Sequence, residues 1–144
     1  MMYQFREHKN YPDLRVLDET EELILGHIFE DTYLIRKRNG EHVFEDDFYG
    51  DPKYGCISPS NDWALVAGEH ITLWRTKKGV TIFSCAELQS VHDLRLGNSL
   101  VELLVDPWGS RAAVWELNPI TAVIRKSKDF LDYQDQEYTE QIQW

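Results

Sequence analysis

Histidine and cysteine are the side chains best able to bind a metal or act as a nucleophile, and their spacing here matches neither use. No two of the five histidines lie four residues apart, as the zinc ligands of a metalloprotease helix do. Cys56 and Cys85 stand outside any local cysteine-protease signature, which favours two reduced thiols. A single disulfide is the alternative, if the two cysteines lie on neighbouring strands. The histidines are His8, His27, His42, His70 and His92.

Closely spaced carboxylates can do acid–base work or hold a metal ion, and Asp46, Asp47 and Asp51 are close in the sequence. They lack the spacing of a calcium-binding EF-hand, so a solvated acidic loop is the preferred interpretation. Glycine-rich phosphate loops and the nucleophile-elbow motif are absent from the sequence. We therefore expect no cofactor, no metal and no enzymatic activity. The alternative is an active site assembled from separate strands, using Cys56, His70 or the Asp46–Asp47 pair.

The charge of the chain is strongly acidic and narrows the class of partner. The 144 residues carry 25 Asp and Glu against 15 Lys and Arg, a net charge of −10 at pH 7. Because a phosphate backbone is bound by clustered Lys and Arg, this balance argues against a nucleic-acid-binding protein. It suits a soluble protein or one whose partner is basic. The length is that of one domain, so residues 1–144 are expected to fold as a single unit.

Neither a membrane span nor a secretion signal is predicted. No stretch approaches the length of apolar sequence that a membrane helix needs, and residues 1–9 lack the apolar core of a signal peptide. Two cysteines are too few for a disulfide-stapled secreted domain. We therefore expect a cytoplasmic protein that does not contact the membrane.

The acidic residues are concentrated in three segments, 18–31, 41–51 and 129–144, and aromatic residues are interleaved in the second and third. Carboxylates steer and pair with Lys or Arg of a partner, while aromatic rings supply buried contact area. These two segments therefore predict a surface that binds a basic protein; a solubilising surface is the alternative. The predicted partner-binding residues in them are Asp46, Asp47, Phe48, Tyr49, Asp51, Asp132, Tyr133, Asp135, Glu137 and Tyr138.

Tryptophan adds one more candidate contact. Three of the five tryptophans fall on predicted strands and are expected to pack in the core. Trp108 lies in the turn Asp106-Pro107-Trp108-Gly109, where a large aromatic side chain is hard to bury. Because tryptophan dominates binding hot spots, Trp108 joins the predicted partner-binding set. Packing back onto its own domain is the alternative.

An internal repeat of about 40 residues is the strongest structural signal in the sequence. Residues 32–44 and 71–83 both contain an apolar strand, a basic turn with glycine, and a second strand that ends in Phe. A weaker third copy covers residues 111–124, with Asn118-Pro119 at the turn. Alternating side-chain polarity and the turn signals predict antiparallel strands.

Each predicted hairpin follows one further strand. These strands are predicted at Glu22–Phe29, Trp63–Ala67 and Leu100–Val105. Asn39-Gly40 predicts a type I′ turn, because both residues tolerate positive φ. Helix is predicted only as one turn capped by Ser84, and a strand that begins at Ser90 is the alternative there. The sequence thus predicts an all-β fold with little helix.

The run ISPSNDWALVAG, residues 57–68, together with Ile71-Thr72-Leu73-Trp74, resembles a blade of the WD-repeat family. The Gly-His and Trp-Asp dipeptides of that family are absent from this run. Propellers have about 4–8 blades, so the resemblance implies an open antiparallel meander of about three propeller-blade-like repeats, as a curved sheet or half-propeller, or an oligomer that closes the ring. The repeat units are predicted at 14–50, 55–88 and 90–128, followed by an acidic aromatic tail at 129–144.

Size, acidity and the lack of a catalytic motif resemble the immunity proteins of bacterial toxin–immunity systems, including contact-dependent inhibition. Those proteins bind a cognate toxin, often a basic nuclease, and block its nucleic-acid site. The resemblance implies an inhibitor that neutralises a cognate nuclease-type toxin, with acidic side chains in the positions of phosphates. The alternative is a non-catalytic propeller-like scaffold or adaptor for protein–protein interaction, which would form a homo-oligomer.

Overall fold

The computed structural model describes residues 11–139 and 141–144, so His8 and Glu140 of the sequence predictions lie outside the described residues. Within these residues, twelve strands form three four-stranded antiparallel sheets, and neighbouring strands in each sheet are consecutive in the chain. Apart from one 3₁₀ turn at Ala86–Leu88, the described chain contains no helix, and therefore no helix long and apolar enough to span a membrane. The predicted all-β fold of three open, blade-like repeats is confirmed.

The strands are numbered in chain order. Sheet 1 contains β1 (Arg15–Glu19), β2 (Leu23–Ile28), β3 (Asp31–Arg36) and β4 (His42–Asp47). Sheet 2 contains β5 (Tyr54–Ile57), β6 (Trp63–Ala67), β7 (Ile71–Arg75) and β8 (Gly79–Phe83). Sheet 3 contains β9 (Val91–Leu96), β10 (Val101–Val105), β11 (Ala113–Asn118) and β12 (Val123–Asp129).

The three strands predicted to precede the hairpins are correct to within one residue at each end. The first strands of sheets 1 and 2 were not predicted. Neither β1 nor β5 has a counterpart in the predicted set. All five residues of β1 are half-buried and β5 is only four residues long, so neither strand shows the alternation that marks a half-buried strand.

Sheet 2 lies between the other two sheets because its side chains are apolar on both faces. Ala64 and Val66 of β6 pack with Leu23, Leu25 and Leu34 of sheet 1 in one core cluster. The alternate residues of the same strand face the opposite way. Leu65 and Ala67 form a second core cluster with Val101, Leu103 and Leu117 of sheet 3.

The first strands of sheets 1 and 2 approach each other closely at Gly55. A Cβ atom at this position would lie 2.8 Å from Cδ2 of Leu25 and 3.1 Å from Cβ of Leu17, so a larger residue does not fit. Beside it, the backbone N–H of Ile57 donates to Oδ2 of Asp18 at 2.7 Å, which joins β5 to β1. Burial raises the pKa of Asp18, and this hydrogen bond only partly offsets the effect.

Two local predictions are wrong. Gly40 has a φ of 73°, whereas Asn39 is not in the left-handed region, so the turn is not type I′. The N–H of Gly40 donates to the carbonyl of Arg36 at 2.8 Å, in a longer loop that needs only one left-handed residue. The 3₁₀ turn is preceded by Cys85 rather than Ser84, and no side chain caps it. The alternative strand there is correct to within one residue, since β9 begins at Val91.

The two outer faces of the stack are covered by the ends of the described chain. Ile24 and Ile35 on the outer face of sheet 1 pack with Leu14, which precedes β1. Leu104 and Val114 on the outer face of sheet 3 pack with Phe130, which follows β12. The apolar faces that a further blade would cover in a propeller are thus occupied by the chain itself.

The end of the C-terminal tail is fastened to strand β9. The indole N–H of Trp144 donates to Oδ2 of Asp93 at 3.0 Å. The guanidinium carbon of Arg95 lies 4.1 Å from the centre of the Trp144 ring, a cation–π contact. The tail therefore crosses the outer face of sheet 3 and is held at both Phe130 and Trp144.

Replacing Phe130 tests this cover. Phe130 is 3% exposed, and Phe130→Ala should lower the free energy of unfolding by about 3–5 kcal/mol because it opens a cavity. Leu131, the next residue, is 66% exposed, so Leu131→Ala should change stability by less than about 0.5 kcal/mol. Urea unfolding measures both. Equal losses in the two variants would contradict the packing of the tail on sheet 3.

Candidate functional site

Strand β4 points its three consecutive acidic residues to alternating faces of sheet 1. Successive residues of a strand face opposite sides. The carboxylate of Asp46 points inward and reaches His70, which directly precedes β7 of sheet 2. Glu45 and Asp47 therefore face outward, opposite Tyr33 and Asp31 of strand β3. The two faces give neighbouring carboxylates different surroundings.

The inward carboxylate joins sheet 1 to sheet 2. Oδ2 of Asp46 lies 2.8 Å from Nε2 of His70 and also accepts a hydrogen bond from the hydroxyl of Thr72. The ring of Phe48 stacks on His70, with 3.9 Å between ring centres and 3° between planes. Nδ1 of His70 lies 2.6 Å from Oε1 of Glu69. Asp46 and Phe48, both predicted to bind a partner, are thus engaged by side chains of their own chain.

The cross-sheet link is strongest when His70 is protonated. Burial lowers the pKa of His70, but its hydrogen bonds to Asp46 and Glu69 raise the pKa by more, so the net pKa lies above its ordinary value. A protonated ring donates from both nitrogens, one to each carboxylate. The stabilisation is therefore complete below the pKa of the unfolded chain and is lost as the pH rises through the higher folded pKa.

The outward carboxylates form an unbalanced acidic group. Asp31 and Asp47 stand directly opposite each other across β3 and β4, an arrangement that destabilises an antiparallel pair. In the described part of the chain, neither carboxylate forms an ion pair. Together with Tyr33, Glu45 and Asp46 they line an open depression of about 320 Å³. Nδ1 of His42 lies 2.5 Å from Oε1 of Glu45.

Two exposed aromatic rings lie close to this acidic pair in the chain. Phe29 is 75% exposed and Tyr49 is 89% exposed. Phe29 occupies the two-residue turn between β2 and β3 with a φ of 52°, which a bulky residue rarely adopts. Burial lowers the pKa of His27, and the neutral ring donates from Nδ1 to the carbonyl of Phe29 at 2.8 Å. The N–H of Gly50 donates to the carboxylate of Glu30, the second residue of this turn. This hydrogen bond joins the loop after β4 to the turn.

We name this group of outward-facing and turn residues the acidic corner. Its members are Phe29, Glu30, Asp31, Glu45, Asp47 and Tyr49. The sequence prediction contained Asp47 and Tyr49 but not Phe29, Glu30, Asp31 or Glu45. The available signal was the short gap between β2 and β3, because a two-residue turn leaves its central side chains in solvent. Asp51, also predicted, lies beyond the corner, with Oδ2 3.8 Å from Arg15.

The predicted tail residues form a separate surface beyond sheet 3. Asp132, Asp135 and Glu137 are exposed, and so is Tyr138, at 69%. Tyr133 is half-buried and stacks on Phe130 with 5.8 Å between ring centres. Because the acidic corner lies on sheet 1, at the other end of the stack, the structure does not bring the two predicted acidic groups together.

Trp108 is half-buried against its own domain. Its ring contacts His92 edge-on at 4.9 Å and lies 4.6 Å from the ring of Tyr138. The indole nitrogen is buried and has no hydrogen-bond partner. These contacts match the alternative in which Trp108 packs back onto the chain, and they hold Tyr138 beside the turn.

The two cysteines are not joined in a disulfide, and the described chain holds no cluster of potential metal ligands. Cys56 and Cys85 are both free thiols, the first buried and the second exposed. Burial, together with the charge of nearby Asp18, raises the pKa of Cys56 to about 12, so this thiol stays protonated. Across residues 11–139 and 141–144, no three His, Cys, Asp or Glu side chains are placed to hold a metal ion.

Comparison with known proteins adds no identity to these observations. No protein-family model matches the chain, and no curated protein matches it. The class defined by the fold is an all-β protein of three blade-like sheets. The inference of function rests on the acidic corner and on the groups that position it.

Matched replacements of two neighbouring aspartates separate the inward and outward roles. Asp46→Asn removes the negative charge that accepts hydrogen bonds from the buried His70 and Thr72. This change should lower the free energy of unfolding by about 1–3 kcal/mol. Asp47→Asn removes half of a like-charge pair, so stability should stay within about 0.5 kcal/mol or rise. Denaturant unfolding followed by tryptophan fluorescence measures both. Equal losses would contradict the opposite placement of the two carboxylates.

The cross-sheet link also predicts a pH dependence. His70→Gln keeps a polar side chain but cannot gain a proton, so the stability gap between wild type and variant should shrink as the pH rises above the ordinary histidine pKa and through the higher folded pKa of His70. Urea unfolding at a series of pH values measures the gap. A gap that is constant or grows with pH would show that the protonated ring does not stabilise the folded state.

Proposed function

We propose that this chain is an inhibitor-type binding protein that docks its acidic corner onto a basic protein. The observation that carries the proposal is the directly opposed pair Asp31 and Asp47, without ion-pair partners in the described chain and close to the exposed rings of Phe29 and Tyr49. Such a pair lowers the stability of the free protein. A cationic partner would pair with the two carboxylates and remove the repulsion between them, which would favour the complex.

The geometry of the corner suits a surface rich in Arg and Lys. Glu45 and Asp47 are two residues apart on one strand, which places them about 7 Å from each other along it. Asp31 stands across from Asp47, so the carboxylates form a small two-dimensional array rather than a line. Arg and Lys side chains can pair with these carboxylates, while exposed aromatic rings serve as anchors.

The class of partner follows from the charge pattern. A nuclease presents Arg and Lys where the phosphates of its substrate bind. An array of carboxylates on a rigid sheet can occupy those positions and exclude the nucleic acid. We therefore propose a nuclease-type toxin as the partner and neutralisation of that toxin as the function, as in bacterial immunity proteins.

Two features of the chain favour binding over catalysis. The Asp46–His70 pair, the best candidate for acid–base chemistry, is buried between two sheets and its hydrogen bonds are used within the chain. The pKa of Cys56, at about 12, leaves no thiolate for nucleophilic attack. The free thiols also suit the reducing cytoplasm, which is the proposed place of action.

The acidic corner is favoured over the acidic tail because of how each is positioned. Residues 31, 45 and 47 lie on paired strands, whose backbone hydrogen bonds fix the spacing of the carboxylates. Asp132, Asp135 and Glu137 lie in an irregular segment outside the sheets. The tail therefore provides the control surface of equal charge.

Charge reversal tests the docking surface. The protein encoded by the adjacent gene should be produced with this chain, and the rate of complex formation measured at several salt concentrations. The double variant Asp31→Lys/Asp47→Lys should slow association by about tenfold or more at low salt and weaken its salt dependence. The matched control, Asp132→Lys/Asp135→Lys, makes the same change in charge on the tail and should have a smaller effect.

The possible outcomes distinguish a wrong docking surface from a wrong function. An equal effect of both double variants would assign the charge effect to the whole chain rather than to the acidic corner. No complex, and no protection of cells that produce the neighbouring protein, would overturn the proposed inhibitory function. Thermal unfolding of each variant confirms that the altered chains fold.

A further inference from the structure

The outermost strands of the three sheets differ in how they are protected from pairing with another chain. An edge strand exposes unpaired backbone N–H and C=O groups, and charged side chains normally prevent further strands from adding. Strand β4 carries Glu45, Asp46 and Asp47, and β12 carries four charged residues. Strand β8, with the sequence GVTIF, carries none. The other edge of sheet 2, β5, is also uncharged, but it is joined to β1 through Ile57 and Asp18.

Strand β8 also exposes apolar side chains. Val80 is 46% exposed and Ile82 is 53% exposed. They stand opposite Trp74 and Thr72 of β7, so both side chains are on the same face of sheet 2. The strand thus combines an unpaired backbone edge with an apolar strip, the two features that favour strand addition. This edge is separate from the acidic corner of sheet 1.

The residues that flank β8 are complementary in charge. Lys77 and Lys78 precede the strand, are exposed, and form no ion pair within the described residues. Glu87, also exposed, follows the strand in the 3₁₀ turn. A strand with cations at one end and a carboxylate beyond the other end is self-complementary when it pairs with an antiparallel copy of itself.

We propose that two copies of this chain associate through β8, in an antiparallel pair centred on Thr81. In this register Val80 of one copy is opposite Ile82 of the other, so four apolar side chains form one continuous strip. Lys77 and Lys78 approach the segment that contains Glu87 of the second copy. The two sheets become one sheet of eight strands, and the twofold axis leaves no β8 edge for a third copy.

This contact differs from closure of a propeller ring. Ring closure needs free outer faces on sheets 1 and 3, and these faces are covered by Leu14 and by Phe130. Edge pairing leaves that cover in place. It also leaves the outward face of β4 in solvent, so the dimer and the acidic corner are independent.

The mass in solution tests the proposal. Sedimentation equilibrium of the full chain should give twice the chain mass of 17.0 kDa at high concentration. Ile82→Lys places a charge on the edge and should reduce the mass to that of one chain. The control Val123→Lys makes a similar change at another exposed position, 59% exposed on β12, and should leave the dimer intact. A wild-type monomer at every soluble concentration would overturn the proposal.

Cross-linking tests the register independently of stability. In a Cys85→Ser background, Thr81→Cys places one thiol on each side of the proposed twofold axis, where mild oxidation should form a disulfide-linked dimer. Val123→Cys in the same background should stay uncross-linked. Equal cross-linking of the two variants, or a dimer that persists in Ile82→Lys, would place the contact elsewhere and contradict pairing through β8.

Discussion

The burial of the middle sheet on both faces is the constraint from which the rest of the arrangement follows. Along β6, Ala64 and Val66 face sheet 1 while Leu65 and Ala67 face sheet 3, so this strand contributes to two cores. A sheet that is apolar on both sides must be covered on both sides. Sheets 1 and 3 each turn one face to it. The acidic corner therefore has to lie on the remaining face of sheet 1.

The periodic part of the fold could be predicted from the sequence, and the irregular part could not. The repeat located the hairpins and the strand that precedes each of them, including β6, because an apolar strand, a turn and a second strand recur at a fixed spacing in the sequence. Strand β5 is set by its approach to Leu25 through Gly55, a tertiary contact that has no local signature. The tail that contains Phe130 likewise looks in the sequence like an acidic segment, although its aromatic residues pack on sheet 3.

The candidate site was predictable as a region but not residue by residue. Asp46 and Asp47 look equivalent in the sequence, yet one joins two sheets and the other faces solvent. Their difference depends on the register of β4, which shifts at an irregularity opposite Leu34 and Ile35. A slip of one residue would exchange the two roles. The hydrogen bond that Asp46 accepts from His70 favours the observed register over that alternative.

The tail that covers sheet 3 has a consequence for how such a chain can change in length. Arrays of repeats grow by duplication of a unit, and their ends need specialised caps. Here Phe130 and Trp144 fill the place that the next unit would take. A duplicated repeat added after β12 would have to displace this cap, whereas one added within the array would keep both ends intact. Within the described residues, an added repeat is therefore compatible with this cap only where it does not directly follow β12.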